Sequence, residues 1–589
     1  RITQSLQRRN GDVTTIQQDE ALSAIATALQ KFSPTEVGVI GSATSCNEDA
    51  YITMKFARAV LSTNNVDFPG RTALMPTYVE LLSHADRIPL LCTLPDVADA
   101  DVILCIGIGA SNRYPQVTAR IFRSILNGRH MLLVDTWHSD FAPYASLHLT
   151  ARPYADAVWL MALAGLIDPT ISQPYTADEV QAVTGITEEQ LQSAAQLLRE
   201  GKRIAAIYDT ASLLHMSNPE SVRALVTLMN ALKSAGAEWC GILPMVERCN
   251  SNGVLQMGMA PAVLPCLRAL TDDEVSHRLN DAWGRGVPRA PGLSVEEMLT
   301  AVEREELKAL IVIGDDLLTC GYDQNALKGL LDKLELLVAI TAFETPIAEI
   351  AHFVLPRTIP GESEGTYVNM EGRVRRVQRV VESTGEARQE WQILTALSQR
   401  LGYEMRYGNS QDVLNEIKQV APAYQAITLE AVAEGEFIVR DGLGMLNHSS
   451  EGASDAERLE VRELPATTSE FPVLLLVERY YLPWFSDALA LHASTLRREY
   501  RLRFTPYVFV NSTQGHELGL RDGMPALMKS AAGEVRVTSI FSDAVPANIA
   551  ILPQMFFPEL KQILGEVTHD ERTGAPIYPA ISIALERAR

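Results

Sequence analysis

The chain has 589 residues, too many for a single hydrophobic core at ~100–200 residues per domain, so several domains are expected. Lys and Arg number 51 against 72 Asp and Glu, a net charge of −21 that repels nucleic-acid phosphates and anionic headgroups. The longest uncharged apolar stretch, near residues 157–167, is shorter than the ~20 residues that cross a bilayer, so membrane association is expected only through partner subunits.

Short runs rich in Val and Ile occur at 37–40, 102–106, 131–134, 204–207, 310–313 and 336–340. Their continuous apolar character predicts parallel strands buried on both faces. Amphipathic helical patterns fall between and around them, at 50–61, 116–126, 155–166, 187–200 and 219–234. This alternation predicts an α/β fold with doubly wound parallel sheets. Gly41, Gly107 and Gly314 stand at strand ends, where open sheets of this kind bind ligands beyond their carboxyl edge. The character changes after about residue 405. Residues 406–465 read as an acidic, loop-rich linker with one helix near 411–419. From residue 471 onward, β-like segments at 473–477, 507–511, 526–529, 534–540 and 548–552 alternate with turn residues, which predicts a C-terminal β-rich domain.

Seven scattered cysteines contain no C-x-x-C pair, which argues against a zinc site or a cluster held wholly within this chain. An odd number in a large acidic protein fits a cytoplasmic setting better than a disulfide framework. No two histidines have the i, i+4 spacing of a metal-binding helix face, and His138, His148 and His352 share no motif. The run 373–379 alternates Arg with Val, as a half-exposed strand facing an acidic neighbour or solvent would. The chain starts at Arg1 without an apolar leader core, so a preceding segment is expected to be missing or cleaved.

Five segments carry a family resemblance. The first is Cys46-Asn47-Glu48-Asp49-Ala50-Tyr51 running through Lys55-Phe56-Ala57-Arg58 to Asn64-Asn65-Val66-Asp67. The second joins Ala100-Asp101-Val102-Ile103-Leu104 and Gly107 to Val134-Asp135 and Arg152-Pro153. The third runs from Gln256-Met257-Gly258 through Pro291-Gly292-Leu293 to Gly314. The fourth joins Ala348-Glu349-Ile350-Ala351 to Glu364-Gly365-Thr366-Tyr367-Val368-Asn369 and Glu371-Gly372-Arg373-Val374, and the fifth is Leu518-Gly519-Leu520-Arg521-Asp522-Gly523. In this order they resemble the molybdopterin oxidoreductases, most closely the formate dehydrogenase α-subunits. The resemblance implies doubly wound parallel sheets with a C-terminal β-barrel-like domain. It divides the chain into a first α/β domain (1–72 with 247–355), a second, dinucleotide-binding-like one (73–246), a bridging motif segment (356–405), the linker (406–465) and a C-terminal domain (466–589).

Such proteins hold a molybdopterin guanine dinucleotide with Mo or W, and a Cys, selenocysteine, Ser or Asp usually adds a metal ligand, followed by His in formate dehydrogenases. The register from Asn65 to Pro76 puts Ala73 at the ligand position and Leu74 at the His position. A methyl group has no electron pair for a metal, and an isobutyl group carries no proton. The substrate-steadying Arg falls at Val246, with Arg248 two places away as a possible replacement. Retained nucleotide positions are Gly107, Gly109, Asp135, Asp156, Gly314, Gly365, Thr366 and Asn369, as pterin-nucleotide contacts or as vestiges that preserve turns. Other positions depart from the family. Asp135-Thr136-Trp137 stands for Asp-Pro-Arg, Tyr154 for a Gly, and Val477-Glu478-Arg479 for Thr-Gly-Arg, with an acid where phosphates are expected.

A fold of this kind without its ligand resembles the large iron–sulfur subunit of NADH–quinone oxidoreductase, respiratory complex I. The expectation is therefore a non-catalytic, metal-free domain of a redox complex with iron–sulfur and NADH-binding subunits as partners. Its 4Fe–4S clusters would sit in an upstream segment or a partner, and it would be cytoplasmic or peripheral on the inner face of the cell membrane. The alternative is a formate-dehydrogenase-like enzyme that still binds a bis-pterin guanine dinucleotide.

Overall fold

A computed structural model describes the chain except residues 10, 84–91, 109–113, 138, 140, 211, 217, 247, 315–323, 440–442, 444–461, 463, 479–505, 570–575 and 589. Gly109, His138, Cys320 and Arg479 therefore lie outside the described residues. The described residues fall into two compact units, one drawn from Arg1–Arg71 and Glu247–Asn447, the other from Thr72–Val246, His448–Phe485 and Ala493–Arg589.

The first unit is organised on a seven-stranded sheet in the order Asp12–Ile16, Ser5–Arg9, Phe353–Pro356, Leu336–Thr341, Ala309–Ile313, Val37–Ile40, Val66–Asp67. Its last five strands are parallel, and Ser5–Arg9 pairs antiparallel to Phe353–Pro356. Val37–Ile40, Ala309–Ile313 and Leu336–Thr341 are buried along their whole lengths. Helices on both faces of such strands explain why they carry unbroken aliphatic runs instead of alternation.

The second unit holds an all-parallel, five-stranded sheet in the order Leu147–Thr150, His130–Asp135, Val102–Ile106, Arg203–Asp209, Trp239–Met245. In chain order this is 3-2-1-4-5, so the connections diverge between Val102–Ile106 and Arg203–Asp209 and leave a crevice at their carboxyl ends. The helix Asp156–Ile167 is apolar almost all round and buried nearly throughout, packed with the helix Pro219–Ser234 in one core. The unit also contains a closed six-stranded barrel, in the order Val473–Glu478, Ile549–Pro553, Tyr507–Val510, Gly533–Phe541, Met524–Ser530, Ile581–Arg587. Closure is made by antiparallel pairing of Val473–Glu478 with Ile581–Arg587, which leaves no strand edge of the barrel unpaired.

The expected fold class, parallel sheets with a C-terminal β-barrel, is what the chain forms. The stretch expected as a linker with one helix carries two among its described residues, Ser410–Val420 and Leu429–Glu434. Among the described residues no helix is long and apolar enough to cross a membrane.

Candidate cofactor crevice and metal-ligand position

The position expected from the resemblance to supply a metal ligand lies just after the strand Val66–Asp67. The Asp67 carboxylate accepts the amide N–H of Phe68 at 2.8 Å, that of Val295 at 3.0 Å, and Arg71 Nε at 2.6 Å. This buried knot fixes the turn into the helix Arg71–Ser83. Ala73 is the third residue of that helix and half-buried, and Leu74 is buried. Neither side chain offers a lone pair, and among the described residues no group of three His, Cys, Asp or Glu side chains is placed to hold a metal.

In the first unit, the motif residues tie the helix Asn47–Lys55 to the strand Gly365–Val368. The Glu48 carboxylate accepts the Thr366 amide N–H at 2.8 Å and the Thr366 hydroxyl at 2.9 Å, while Asn47 Nδ2 donates to Thr366 Oγ1 at 3.0 Å. Asn250 Nδ2 donates to the Ser45 carbonyl and to Asn47 Oδ1, and Asn250 Oδ1 accepts the Val368 amide. Burial raises the Glu48 pKa to about 7 against the opposing Thr366 hydrogen bonds. Burial and the neighbouring Glu390 hold Asp49 well above the carboxylate range, and Glu390 itself pairs with Arg357. Asn369 is a turn residue: its Oδ1 accepts the amides of Glu371 and Arg373, and its Nδ2 donates to Glu371. A Cβ on Gly365 would lie 2.4 Å from Glu48 Oε2, and one on Gly314 would lie 2.7 Å from Ser42 Cβ. Both glycines make room for the chain's own side chains. Arg248 has φ 68° in the turn before Asn250 and is half-buried.

In the second unit, the sheet's carboxyl edge brings Gly107, Asp135 and Asp156 together around a residue that sequence reasoning missed, His215. Its Nδ1 lies 3.1 Å from Asp156 Oδ1, and its Nε2 lies 2.9 Å from Thr136 Oγ1 and 3.6 Å from Asp135 Oδ1. Burial opposes a charge on the ring, but Asp156 and Asp135 outweigh it and raise its pKa to about 10. The Thr136 amide also points at Nε2 at 3.0 Å, a contact that only the neutral ring accepts. With carboxylates on both sides we take the imidazolium as the resting form. Thr136 Oγ1, which donates to the Ala151 carbonyl, then accepts from Nε2. Asp156 is engaged on both oxygens, accepting Trp159 Nε1 at 2.9 Å on one and the Met216 amide at 2.9 Å on the other. At Gly107 (φ +57°) a Cβ would meet His215 Cβ at 2.5 Å, so the imidazole fills the space that the missing side chain leaves.

Tyr154 holds φ 62°, a left-handed backbone that glycine adopts without strain. Its ring packs against the barrel core with the Arg462 guanidinium 4.2 Å from its centroid. Glu478, at the end of its barrel strand, is buried and accepts the Ser212 hydroxyl and the amides of Leu213 and Leu214. Among the described residues, the side chains of Asp135, Asp156, Thr366 and Asn369, which the resemblance assigns to a pterin nucleotide, are thus engaged within the chain, and Ala73, at the expected ligand position, carries no donor. As arranged, these residues do not fit the group.

A family model for molybdopterin oxidoreductases matches residues 1–400. The probable oxidoreductase YjgC of Bacillus subtilis is 26% identical over the whole of this chain, which spans 63% of that protein. The F420-dependent formate dehydrogenase 1 subunit alpha of Methanococcus maripaludis is 25% identical, with 100% of this chain and 91% of that subunit aligned. Among solved structures, acetylene hydratase from Pelobacter acetylenicus superposes with a TM-score of 0.74 at 16% identity, covering all of this chain and 92% of the other, a likeness of fold. With the family model matched over more than half its length and the motifs in order, this chain belongs to the molybdopterin oxidoreductase family.

Proposed function

We propose that the chain is a non-catalytic member of its family, a structural subunit of a redox assembly of the NADH–quinone oxidoreductase type. The observation that carries this reading is the side-chain chemistry at the start of the helix Arg71–Ser83. Ala73 and Leu74 stand where a metal donor and a proton carrier are needed, and neither supplies one. The engagement of Asp156 by His215 supports it from the second unit. Partners would be iron–sulfur and NADH-binding subunits, and their clusters would carry the electrons. A partner role is in keeping with the Methanococcus formate dehydrogenase relative, a subunit by its name. The assembly would lie on the cytoplasmic side of the membrane, reached only through those partners.

The test is elemental analysis of the purified native complex by mass spectrometry, paired with fluorescence of oxidised pterin after extraction. The expected result is neither molybdenum nor tungsten in stoichiometric amount, together with co-purifying iron–sulfur subunits. One metal atom per chain with pterin fluorescence would overturn the reading. It would establish instead the second one, which the relatives' names favour: a formate-dehydrogenase-like enzyme whose metal is held by the pterin sulfurs alone.

A further inference from the structure

The loop that follows the strand Arg203–Asp209 presents a compact set of donors in the second unit's crevice. The amide of Leu213 donates to Glu478 Oε1 at 2.9 Å. The amide of Leu214 donates to Oε2 at 3.2 Å, and the Ser212 hydroxyl donates to the same oxygen at 2.9 Å. Ser212 Oγ in turn accepts the His215 amide at 3.2 Å, which aims its hydroxyl proton at the carboxylate. Two successive backbone amides and a hydroxyl converging on one two-oxygen anion form a nest, the arrangement by which backbone binds oxyanions. Ser212, Leu214 and Glu478 are each at most 5% exposed, so the anion is out of bulk water and its hydrogen bonds have little competition. The donors and the acceptor come from segments 264 to 266 residues apart, so the pairing is tertiary and not a local turn.

The location gives the nest a meaning. It opens at the carboxyl end of the fourth strand of a 3-2-1-4-5 sheet, beside the place where open sheets bind anionic ligands. Around it, His215 lies over Gly107, and Tyr154 accepts a strained backbone to place its ring against the barrel, its amide donating to the Leu214 carbonyl. We propose that the Ser212–Leu214 loop is an oxyanion site of the phosphate class and that Glu478 is its tethered resident, closing it against free anions. This rests on the closed-crevice reading above and says what closes it. A carboxylate on the same chain has a high effective concentration at the nest, so free phosphate does not displace it.

The test uses the purified full-length chain and the variants Glu478→Ala and Glu478→Gln, with inorganic phosphate as the probe and sodium chloride at equal ionic strength as the control. Hydrogen exchange is followed at the amides of Leu213 and Leu214, with thermal unfolding alongside. The wild-type amides should exchange slowly and ignore phosphate. In Glu478→Ala they should exchange rapidly and be slowed about ten-fold or more by phosphate, because an anion bound only by the folded nest protects it. Glu478→Gln keeps the side-chain volume and one acceptor oxygen but loses the charge and the second acceptor, so it remains informative should the alanine variant fail to fold: its amides should exchange faster than wild type, and phosphate should slow them by less than in Glu478→Ala. Slow exchange in the variants without phosphate would show that Glu478 is not the acceptor that matters. Rapid exchange that phosphate leaves unchanged would show that the loop is no anion site. A phosphate response in the wild type equal to that of Glu478→Ala would show that Glu478 does not close it. Each of these overturns the proposal without touching the metal analysis, and a metal-loaded native complex would overturn the functional reading without deciding the phosphate response.

Discussion

Replacing Arg58 by alanine removes the cation that holds together the turn after the helix Ser251–Gln256. The guanidinium is buried to 1% exposure and donates to neutral oxygens: Asn64 Oδ1 at 2.8 Å and the carbonyls of Gly258 at 2.9 Å, Ala260 at 2.8 Å and Val263 at 2.7 Å. Burial lowers its pKa to about 9, which leaves it charged at neutral pH. Alanine would strand three carbonyls and an amide oxygen, at about 1–3 kcal/mol for each group that stays dry. Water entering the cavity would recover part of this, so the net loss should be about 3–5 kcal/mol. Methionine keeps the volume but none of the donors and should lose nearly as much. Lysine reaches only some of the four oxygens and should fall between. A multidomain chain does not unfold in two states, so the informative assay is hydrogen exchange on peptides covering residues 254–264, read with the first thermal transition. Unchanged exchange there, with a transition within about 1 °C of wild type, would refute the clamp, because even 1 kcal/mol moves a domain of this size by about 2–4 °C.

Glu48→Gln should flatten the pH dependence of the first unit's stability between pH 4.5 and 7. The folded pKa is raised from 4.5 to about 7, so this group's contribution is complete below pH 4.5 and is lost as pH rises through 7, about 3 kcal/mol in all. Glutamine can still accept the Thr366 amide, and thermal melts across that range check the slope. His215→Ala should destabilise the second unit by about 3–5 kcal/mol at neutral pH, because Asp135 and Asp156 would be left as buried carboxylates without their cation. The wild-type contribution is present below pH 6.5 and is lost as pH rises through about 10, so the gap between the two melting curves should narrow on the alkaline side.

Strands were legible where burial on both faces gives a continuous run of Val, Ile and Leu, as at Val102–Ile106 and Ala309–Ile313, but not at the similarly buried Phe353–Pro356 and Trp239–Met245, whose Gly, Pro and aromatic residues break the run. Leu147–Thr150 was not legible as a strand, because it sits at the sheet's edge with only Leu149 buried, and its Leu-His-Leu-Thr alternation is too short to stand out from a loop. The closing barrel strand Ile581–Arg587 was equally opaque: it ends in charged residues, and its role exists only when the barrel closes. In the site, the register alone put Ala73 at the expected ligand position, since a departure from a family pattern can be read in sequence when its neighbours are kept. His215 was invisible for the opposite reason, as a lone histidine has no spacing to read and acquires meaning only when three loops converge on it. Glu478 was visible as an acid out of place, but its partners on the Ser212 loop belong to tertiary structure.

On the proposed non-catalytic reading, the alanine at position 73 and the internally paired polar groups of the crevice are linked by the cost of buried polar groups. A crevice built around a charged ligand leaves amides and carboxylates unsatisfied once the ligand is gone, at about 1–3 kcal/mol for each buried group. A chain that no longer takes up the ligand is therefore stabilised by any substitution that supplies an internal partner. His215 between two aspartates and Glu478 on the Ser212 loop are partners of that kind. It follows that restoring the ligand alone should not restore metal. Ala73→Cys with Leu74→His, expressed in a host that makes the pterin cofactor, should still purify without stoichiometric molybdenum or tungsten. Adding Glu478→Gly and Tyr154→Gly, the latter at a backbone that already holds φ 62°, removes two of the side chains that line the crevice and is the combination in which any uptake should first be detected. Full metal loading of the two-residue variant would break the link, because the missing donor would then be the sole obstacle and the filled crevice would be incidental.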